Sequence, residues 1–220
     1  MPAIFTDRRS GLSLAPYESL NLALHVGDDR EVVLANRARL EPITGVVQFM
    51  NQTHGDVFTV VNALNQIEPT CDALITTTPG LAIGVLVADC IPLLLSSSGI
   101  VAAVHVGRAG LVNKIAIKVI HHMRHLGAGA IHAQLGPSIC GTCYEVPASL
   151  ADEVLKSHPS AFALTRDATP ALDLPKGLIA DLVEEGVTYE ASAICTLEDS
   201  HYFSYRRHNI TGRSAGIIWL

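Results

Sequence analysis

A layered α/β fold with mixed sheets is what the sequence predicts, for two reasons. The middle of the chain is a series of short, apolar, β-branched runs, and several are apolar at every position, which is typical of strands covered on both faces. Strands and helical patterns alternate only towards the two ends of the chain. A regular strand–helix–strand repeat would alternate throughout, so a mixed, layered arrangement fits better.

The N-terminal part is predicted to contain one strand and one helix. A strand-like segment at Ile4–Phe5 is followed by a long polar stretch. Asp28 and Glu31 then have the spacing of a capping box, in which a side chain at the helix start accepts from backbone N–H groups. The helix that they open is predicted to end before Pro42, because proline cannot continue a helix.

Six strands are predicted in the middle of the chain, and one amphipathic helix follows them. The predicted strands are Val46–Met50, Val57–Val61, Ala73–Thr77, Leu81–Ala88, Ile91–Ser96 and Ile100–Val106. In the helix, an apolar stripe repeats every three to four positions up to Gly127, where glycine favours termination. The stripe is formed by Leu111, Ile115, Val119 and Met123, with Lys114, Lys118, His121 and His125 on the opposite face.

The last third is predicted to mix strands and helices. The predicted strands are Ile131–Leu135, Ala191–Cys195, Tyr202–Tyr205 and Ala215–Trp219, and the predicted helices are Ser149–Leu155 and Lys176–Glu185. No repeat or linker divides the chain, so residues 1–220 are expected to form one domain.

Composition narrows the class of protein. With 49% hydrophobic residues in 220, the chain can bury a large core, and disorder is excluded. The formal net charge of −6 argues against nucleic acid as a partner. The longest apolar stretch, Leu81–Leu95, contains Asp89 and Pro92 and is too short to span a bilayer as a helix. We therefore expect a soluble, cytoplasmic monomer or homodimer without membrane partners.

Three residues with metal-binding side chains follow or end apolar strands. They are His54, Cys90 and His105, and strand ends are where a rigid sheet presents groups to a cleft. One thiolate and two imidazoles would give zinc three protein ligands and an open fourth position, although the same donors also suit copper. Asp89 could orient a ligand imidazole. Each residue alone is also common in an ordinary core or at a strand end.

Two further clusters carry reactive or charged groups. The Cys140–Cys143 pair is a lone CxxC without a second pair, and we expect it to hold no metal and to undergo no redox cycle. Arginines accumulate near the C-terminus at Arg206, Arg207 and Arg213, and their planar guanidinium groups bind phosphate well. If the segment is an extended strand, neighbours point to opposite faces, so only one of Arg206 and Arg207 would face a cleft.

Taken together, the motifs resemble the YfiH family, also known as laccase-domain or multicopper polyphenol oxidase-like proteins. The resemblance spans the whole chain and depends on the joint presence and order of its motifs. These motifs are Gly11-Leu12-Ser13, His25-Val26-Gly27-Asp28-Asp29, Gln52-Thr53-His54-Gly55, Cys71-Asp72-Ala73, Ala88-Asp89-Cys90-Ile91-Pro92, Gly136-Pro137-Ser138, Cys143-Tyr144-Glu145-Val146, Phe203-Ser204-Tyr205-Arg206-Arg207 and Thr211-Gly212-Arg213.

The resemblance implies an α/β/β/α layering and a zinc-dependent purine nucleoside phosphorylase with adenosine deaminase side activity. It places the zinc ligands on His54, Cys90 and His105, and a further arginine on Arg8. Purine nucleosides and phosphate would be the substrates. One motif departs from the family pattern: where the family has His-Ala-Gly-Trp-Arg-Gly, this chain has Arg108 and Ala109 in the Trp and Arg positions. Arg8, Arg108, Arg206 and Arg213 are therefore all candidates for binding phosphate.

Three other functions remain open at this point. A copper-dependent polyphenol oxidase would need several metal sites, usually with HxH pairs, and the sequence has none. A Cys–His hydrolase would use Cys90 as nucleophile and His105 as base, the same residues that would bind zinc. A non-enzymatic regulatory protein would need a docking motif, and none is recognisable.

Overall fold

A computed structural model describes residues 1–220 and contains twelve strands and six helices. The strands are β1 (Ala3–Phe5), β2 (Val47–Gln48), β3 (Phe58–Val60), β4 (Ala73–Thr76), β5 (Ala82–Val87), β6 (Ile91–Ser97), β7 (Ile100–Val106), β8 (His132–Leu135), β9 (Phe162–Leu164), β10 (Pro170–Leu172), β11 (Thr188–Ala191) and β12 (Ser214–Ile218). The helices are α1 (Arg30–Ala38), α2 (Glu41–Thr44), α3 (Arg108–Val112), α4 (Ile115–His125), α5 (Ala148–Leu155) and α6 (Leu174–Glu184).

Two mixed sheets form the centre of the molecule. The first has four strands in the order β1-β12-β5-β2, and the second has six in the order β11-β8-β6-β7-β4-β3. Most neighbouring strands are antiparallel, but β2 and β5, β3 and β4, and β8 and β11 pair in parallel. The strands β9 and β10 form a separate two-stranded ribbon.

Three apolar clusters divide the fold into layers. One cluster lies between the sheets and includes Ile83 and Val85 of β5 and Leu94 of β6. A larger one covers the other face of the six-stranded sheet with residues of α3 to α6. The third covers the four-stranded sheet with the loop around Leu22 and with Leu40, next to α1 and α2. The layering is thus α/β/β/α with mixed sheets, which confirms the predicted fold class.

Burial on both faces explains why the central strands were recognisable. Every residue of β4, β5 and β7 is buried, because one face of each strand meets the other sheet and the opposite face meets helices or loops. None of the helices combines the length and the apolar character needed to cross a bilayer.

Several predicted elements differ from the structure. The cap of α1 is Asp29, whose carboxylate accepts from the backbone of Glu31 and Val32, rather than Asp28. The predicted helix around Leu111–Met123 is two helices, since Lys114 has a left-handed φ of 57° between α3 and α4.

The C-terminal third differs most from its prediction. The strand expected at Ala191–Cys195 lies earlier, in β11, and the one expected at Tyr202–Tyr205 is a series of bends and turns. The ribbon of β9 and β10 was not predicted, because its short strands lie partly exposed and lack a clear apolar alternation.

Candidate metal and anion site

Strand pairing brings His54, Cys90 and His105 together. β6 and β7 are antiparallel and pair Ile91 with Val106, so Cys90, just before β6, meets the end of β7 that carries His105. His54 follows β2 and enters from a loop. The ligand atoms of the three side chains all lie within 4.8 Å of one another, and the two imidazole centroids are 4.6 Å apart.

Asp72 organises this trio. It precedes β4, which pairs with β7, and its side chain is fully buried. Its carboxylate accepts from His105 Nδ1 at 2.8 Å, leaving Nε2 of that ring free for a metal. It also fixes the loop that carries His54, by accepting hydrogen bonds from Thr53 N, Thr53 Oγ1, His54 N and Gly55 N.

The charged forms of Asp72, Cys90 and His105 stabilise one another. Burial alone would raise the pKa of Asp72, but hydrogen bonds from His105 and Gly55 hold that pKa well below its usual range. Burial would likewise raise the pKa of the Cys90 thiol, but the neighbouring His105 and His54 lower it to about 6. Burial would lower the pKa of His105, whereas Cys90 and Asp72 raise it to about 9. A thiolate, the form that binds metal, is therefore favoured at Cys90.

The space in front of the donor atoms fits a metal ion. A Cβ at Gly107 would lie 3.0 Å from Cys90 Sγ and 3.4 Å from His54 Cδ2, so only glycine leaves this space open without pushing on the donors. Two imidazole nitrogens and one thiolate match a catalytic zinc site with an open position, and they also match copper. The residues present therefore fit the metal that the sequence predicted.

Asp89 does not orient a ligand imidazole, which corrects that prediction. Its carboxylate instead accepts from Thr196 Oγ1 and from the backbone N–H of Arg206, both at 2.7 Å. The contact is possible because Asp89 has a left-handed φ of 91° directly before Cys90, which directs its side chain towards the C-terminal turns. Asp89 therefore connects the strand end that carries Cys90 to the segment that carries Arg206.

The trio lies in a cavity of about 490 Å³, within the range of small-molecule sites. The lining includes seven of the candidate site residues predicted from the sequence, together with other residues that were not candidates for the site. The predicted residues in the lining are His54, Asp89, Cys90, His105, Arg108, Arg206 and Arg213. The others include His25, Gln52, Ala109, Tyr144 and Tyr205.

Three arginines of the lining have no carboxylate partner. Arg213 donates through Nη1 to the carbonyls of Thr211 and Gly212, and Arg206 donates through Nη1 to the carbonyl of Glu145. Arg108, at the first turn of α3, forms no ion pair either. Burial lowers the pKa of Arg213, as expected for a cation with little solvent around it. Unneutralised arginines in one cavity favour an anionic ligand.

Arg8 and Arg207 lie outside this lining. The Arg8 guanidinium lies 4.9 Å from the centroid of the Phe203 ring and donates to the carbonyl of Glu18. Arg207 donates to the carbonyls of Thr196 and Leu197 and thereby fixes the turns of the tail. Strand alternation predicts that only one of Arg206 and Arg207 faces the cleft. The segment is a turn rather than a strand, and it is hydrogen bonding to backbone carbonyls that occupies Arg207.

Some site residues gave a weak signal in the sequence. Asp72 is a single carboxylate directly before a buried strand, and nothing in the sequence shows that β4 lies beside β7. The side-chain amide of Gln52 donates to the carbonyl of Leu86 and accepts from the N–H of Leu86, so it connects the His54 loop to β5. Tyr144 follows the CxxC and stacks near Arg206, with 5.1 Å between guanidinium and ring centroid.

Comparison with known proteins gives a consistent result over the whole chain. The family described as multi-copper polyphenol oxidoreductase laccase matches residues 2–220. A purine nucleoside phosphorylase of Corynebacterium glutamicum is 44% identical over 229 residues, which cover 99% of this chain and 93% of that protein. A purine nucleoside phosphorylase of Streptomyces coelicolor is 46% identical and covers 98% of this chain and 94% of its own.

Solved structures show the same fold. A Neisseria meningitidis protein of the DUF152 family superimposes with a TM-score of 0.91 at 33% identity, over 99% of this chain and 93% of that chain. The YfiH protein of Bacillus licheniformis superimposes with a TM-score of 0.90 at 30% identity, over 99% and 92% of the two chains.

Proposed function

This chain belongs to the multi-copper polyphenol oxidoreductase laccase family, and we propose that it is a zinc-dependent purine nucleoside phosphorylase. It would convert adenosine, inosine or methylthioadenosine and phosphate into the free base and the corresponding ribose 1-phosphate. The names of the similar proteins from Corynebacterium glutamicum and Streptomyces coelicolor support this reaction class. We further propose that adenosine deamination is a side activity of the same site.

One observation carries the proposal: a single cavity contains both the donor trio and the unpaired arginines. Phosphorolysis needs a bound phosphate and a stabilised leaving base in the same place. Arg108, Arg206 and Arg213 supply positive charge in a protein whose net charge is −6. Tyr144 and Tyr205 supply aromatic surface for a purine ring.

The reaction breaks the bond between ribose C1′ and the purine nitrogen and forms a bond from C1′ to a phosphate oxygen. The remaining N–H groups of Arg206 and Arg213 hold the phosphate, because their Nη1 atoms are already held by carbonyls that fix each guanidinium. The Tyr144 phenol, whose pKa burial raises further, is protonated at neutral pH and would be available to donate a hydrogen bond to a bound substrate. The departing base takes up one proton, which balances the proton that hydrogen phosphate loses when its oxygen becomes bonded to C1′.

His54, Cys90 and His105 would hold the zinc ion, with Asp72 fixing the orientation of His105. When bound there, zinc would supply a Lewis acid that stabilises negative charge developing in the cavity. Deamination would use the same cavity without phosphate, since water replaces the amino group and ammonia leaves.

The test is elemental analysis of the purified protein followed by product identification. We expect about one zinc at the trio per chain. With inosine and phosphate, we expect hypoxanthine and ribose 1-phosphate in equal amounts, and with adenosine alone, slow release of ammonia. Arg39→Ala, which removes an exposed arginine outside the cavity, should behave like the wild type. Absence of phosphate-dependent base release from any purine nucleoside would refute the phosphorylase, and copper in place of zinc would favour an oxidase.

A Cys–His hydrolase is the second candidate, supported by the opposite pKa shifts of Cys90 and His105. Their proximity favours a thiolate beside an imidazolium, as in thiol hydrolases. The two functions separate on metal loading. A hydrolase would cleave an activated ester such as 4-nitrophenyl acetate faster after zinc removal, with acyl transfer to Cys90, whereas the phosphorylase would lose activity.

A further inference from the structure

Two tight turns face each other beside the cavity, and each presents two potential metal ligands three positions apart. The first runs from Cys140 to Cys143, and the backbone N–H of Cys143 closes it on the carbonyl of Cys140 at 3.0 Å. The second runs from Cys195 to Glu198, and the backbone N–H of Glu198 closes it on the carbonyl of Cys195 at 3.2 Å. Short turns with paired ligands at this spacing are the usual framework of structural zinc sites.

The four donor groups converge. Their ligand atoms all lie within 4.8 Å of one another. The backbone N–H of Cys140 donates to Cys195 Sγ at 3.4 Å, and the thiol of Cys143 donates to Glu198 Oε1 at 3.4 Å. Cys195 is buried, Cys140 and Cys143 are half-buried, and Glu198 is at the surface, where it also pairs with Arg166.

The reason for expecting no metal at the CxxC is removed by this arrangement. That expectation depended on the absence of a second ligand pair in the sequence. The second pair is Cys195 and Glu198, which lie more than fifty residues away from Cys140. The parallel bridge between Ser138 and Cys195 aligns the two turns, and the N–H of Thr196 donates to the carbonyl of Ser138 at 3.1 Å.

We propose that Cys140, Cys143, Cys195 and Glu198 form a second metal site, which binds a thiophilic divalent cation of the zinc type. Three thiolates and one carboxylate complete a tetrahedral shell with no open position, so this site is structural, in contrast to the open trio. It shares no residue with the trio. Metal binding releases the thiol protons, including the one that Cys143 donates to Glu198.

The position of the cluster in the fold indicates which part of the cavity a bound metal would stabilise. Tyr144 follows Cys143 directly and lines the cavity, and the carbonyl of Glu145 holds Arg206. Thr196 follows Cys195 directly and donates to Asp89. A metal across the two turns would therefore fix the wall of the cavity that presents Tyr144 and Arg206.

Zinc stoichiometry in four proteins tests the proposal. The wild type, Cys90→Ala, Cys143→Ser and the double variant are purified with a phosphine reductant, loaded with zinc chloride and freed of excess metal. Elemental analysis should give about two, one, one and no zinc ions per chain, in that order. Thr142→Ala, which changes the same turn without removing a ligand, should keep both ions.

Cobalt and chelation give readouts that do not depend on activity. Cobalt-loaded Cys90→Ala should show strong sulfur-to-cobalt charge transfer and a tetrahedral visible spectrum, and chelator should lower its Tm. Cys90→Ala keeps the whole second cluster, so it tests the proposal even if Cys143→Ser does not fold. A Cys90→Ala protein that binds no zinc, a Cys143→Ser protein that keeps two, or a Cys140–Cys143 disulfide in the metal-loaded wild type would each overturn it.

Discussion

The donor half of the cavity carries Cys90 and His105 at the ends of buried strands, and His54 on a loop that Asp72 holds against them. The arginine half, which carries Arg206 and Arg213, lies on or next to turns of the C-terminal tail. In the donor half, register fixes the positions, since β4, β6 and β7 are neighbours in one sheet. In the arginine half, hydrogen bonds to carbonyls fix the side chains.

The two halves differ in how the fold positions metal-binding and anion-binding side chains. Soft donors need fixed separations to select a metal, and a sheet supplies them. An anion needs cationic groups directed into one cavity, and arginines held by hydrogen bonds to the carbonyls of turns supply them. Asp89 connects the halves, because it precedes Cys90 and accepts from the backbone of Arg206. Substitutions should therefore separate metal binding from phosphate binding.

Cys90→Ala should have the largest effect and should damage the donor half only. It removes the one anionic ligand of the trio, so zinc content should fall by about one ion per chain. Nucleoside phosphorolysis should become undetectable while the far-UV circular dichroism stays unchanged. Elemental analysis and product chromatography measure both. Undiminished zinc content in this variant would disprove the ligand assignment.

Asp72→Asn should have the next largest effect. The amide keeps the size of the carboxylate but loses the charge that supports His105 and the acceptor strength that four loop donors use. We expect metal affinity to fall by about 10- to 100-fold. The free energy of unfolding should fall by about 3 kcal/mol, because a buried charged partner is lost.

Competition with a chelator gives the affinity and urea unfolding gives the stability. Thr53→Val is the matched control, since it removes one of the donors to Asp72 and leaves the bond to His105. Zinc affinity equal to that of the wild type in Asp72→Asn would show that Asp72 does not support the ligands.

The sequence predicted the donor half well for a physical reason. Strands buried on both faces give continuous apolar runs, so Cys90 and His105 are visible in the sequence at the ends of such runs, and His54 a few residues past another. Asp72 was missed because its importance comes from strand order, and β4 pairs with β7 across a gap of more than twenty residues.

The arginine half was harder to predict. Its turns have no periodicity, so the aromatic run Tyr202–Tyr205 resembles a strand in the sequence. Arg8 is likewise indistinguishable in the sequence from the arginines that line the cavity. Side chains whose partners are carbonyls, such as Arg207, leave no mark in the sequence that distinguishes them from ligand-binding arginines. The proximity of Cys140 to Cys195 is also invisible in the sequence. It results from the parallel bridge between Ser138 and Cys195, which lie in distant loops.

Arg213→Ala should weaken the arginine half and leave the donor half intact. The loss of a hydrogen bond to a charged group costs about 1.5–3 kcal/mol, so the phosphate KM should rise by about 10- to 150-fold. Zinc content should stay at the wild-type value, and deamination, which needs no phosphate, should change less than phosphorolysis. Arg206→Ala and Arg108→Ala are measured in parallel. If none of the three separates the two reactions, the proposed arginine phosphate site is wrong.

Arg8→Ala should have the smallest effect and should change neither half. Its guanidinium lies over the Phe203 ring rather than in the cavity, and burial together with the nearby Arg207 lowers its pKa. Loss of the cation–π contact should reduce the free energy of unfolding by about 0.5–1 kcal/mol. The phosphate KM and the zinc content should equal those of the wild type. Arg8→Lys, which keeps the charge, should restore part of the stability. A phosphate KM that rises in Arg8→Ala as it does in Arg213→Ala would instead place Arg8 in the phosphate site, as the family resemblance suggested, and would require the N-terminal segment to move towards the cavity when substrate binds.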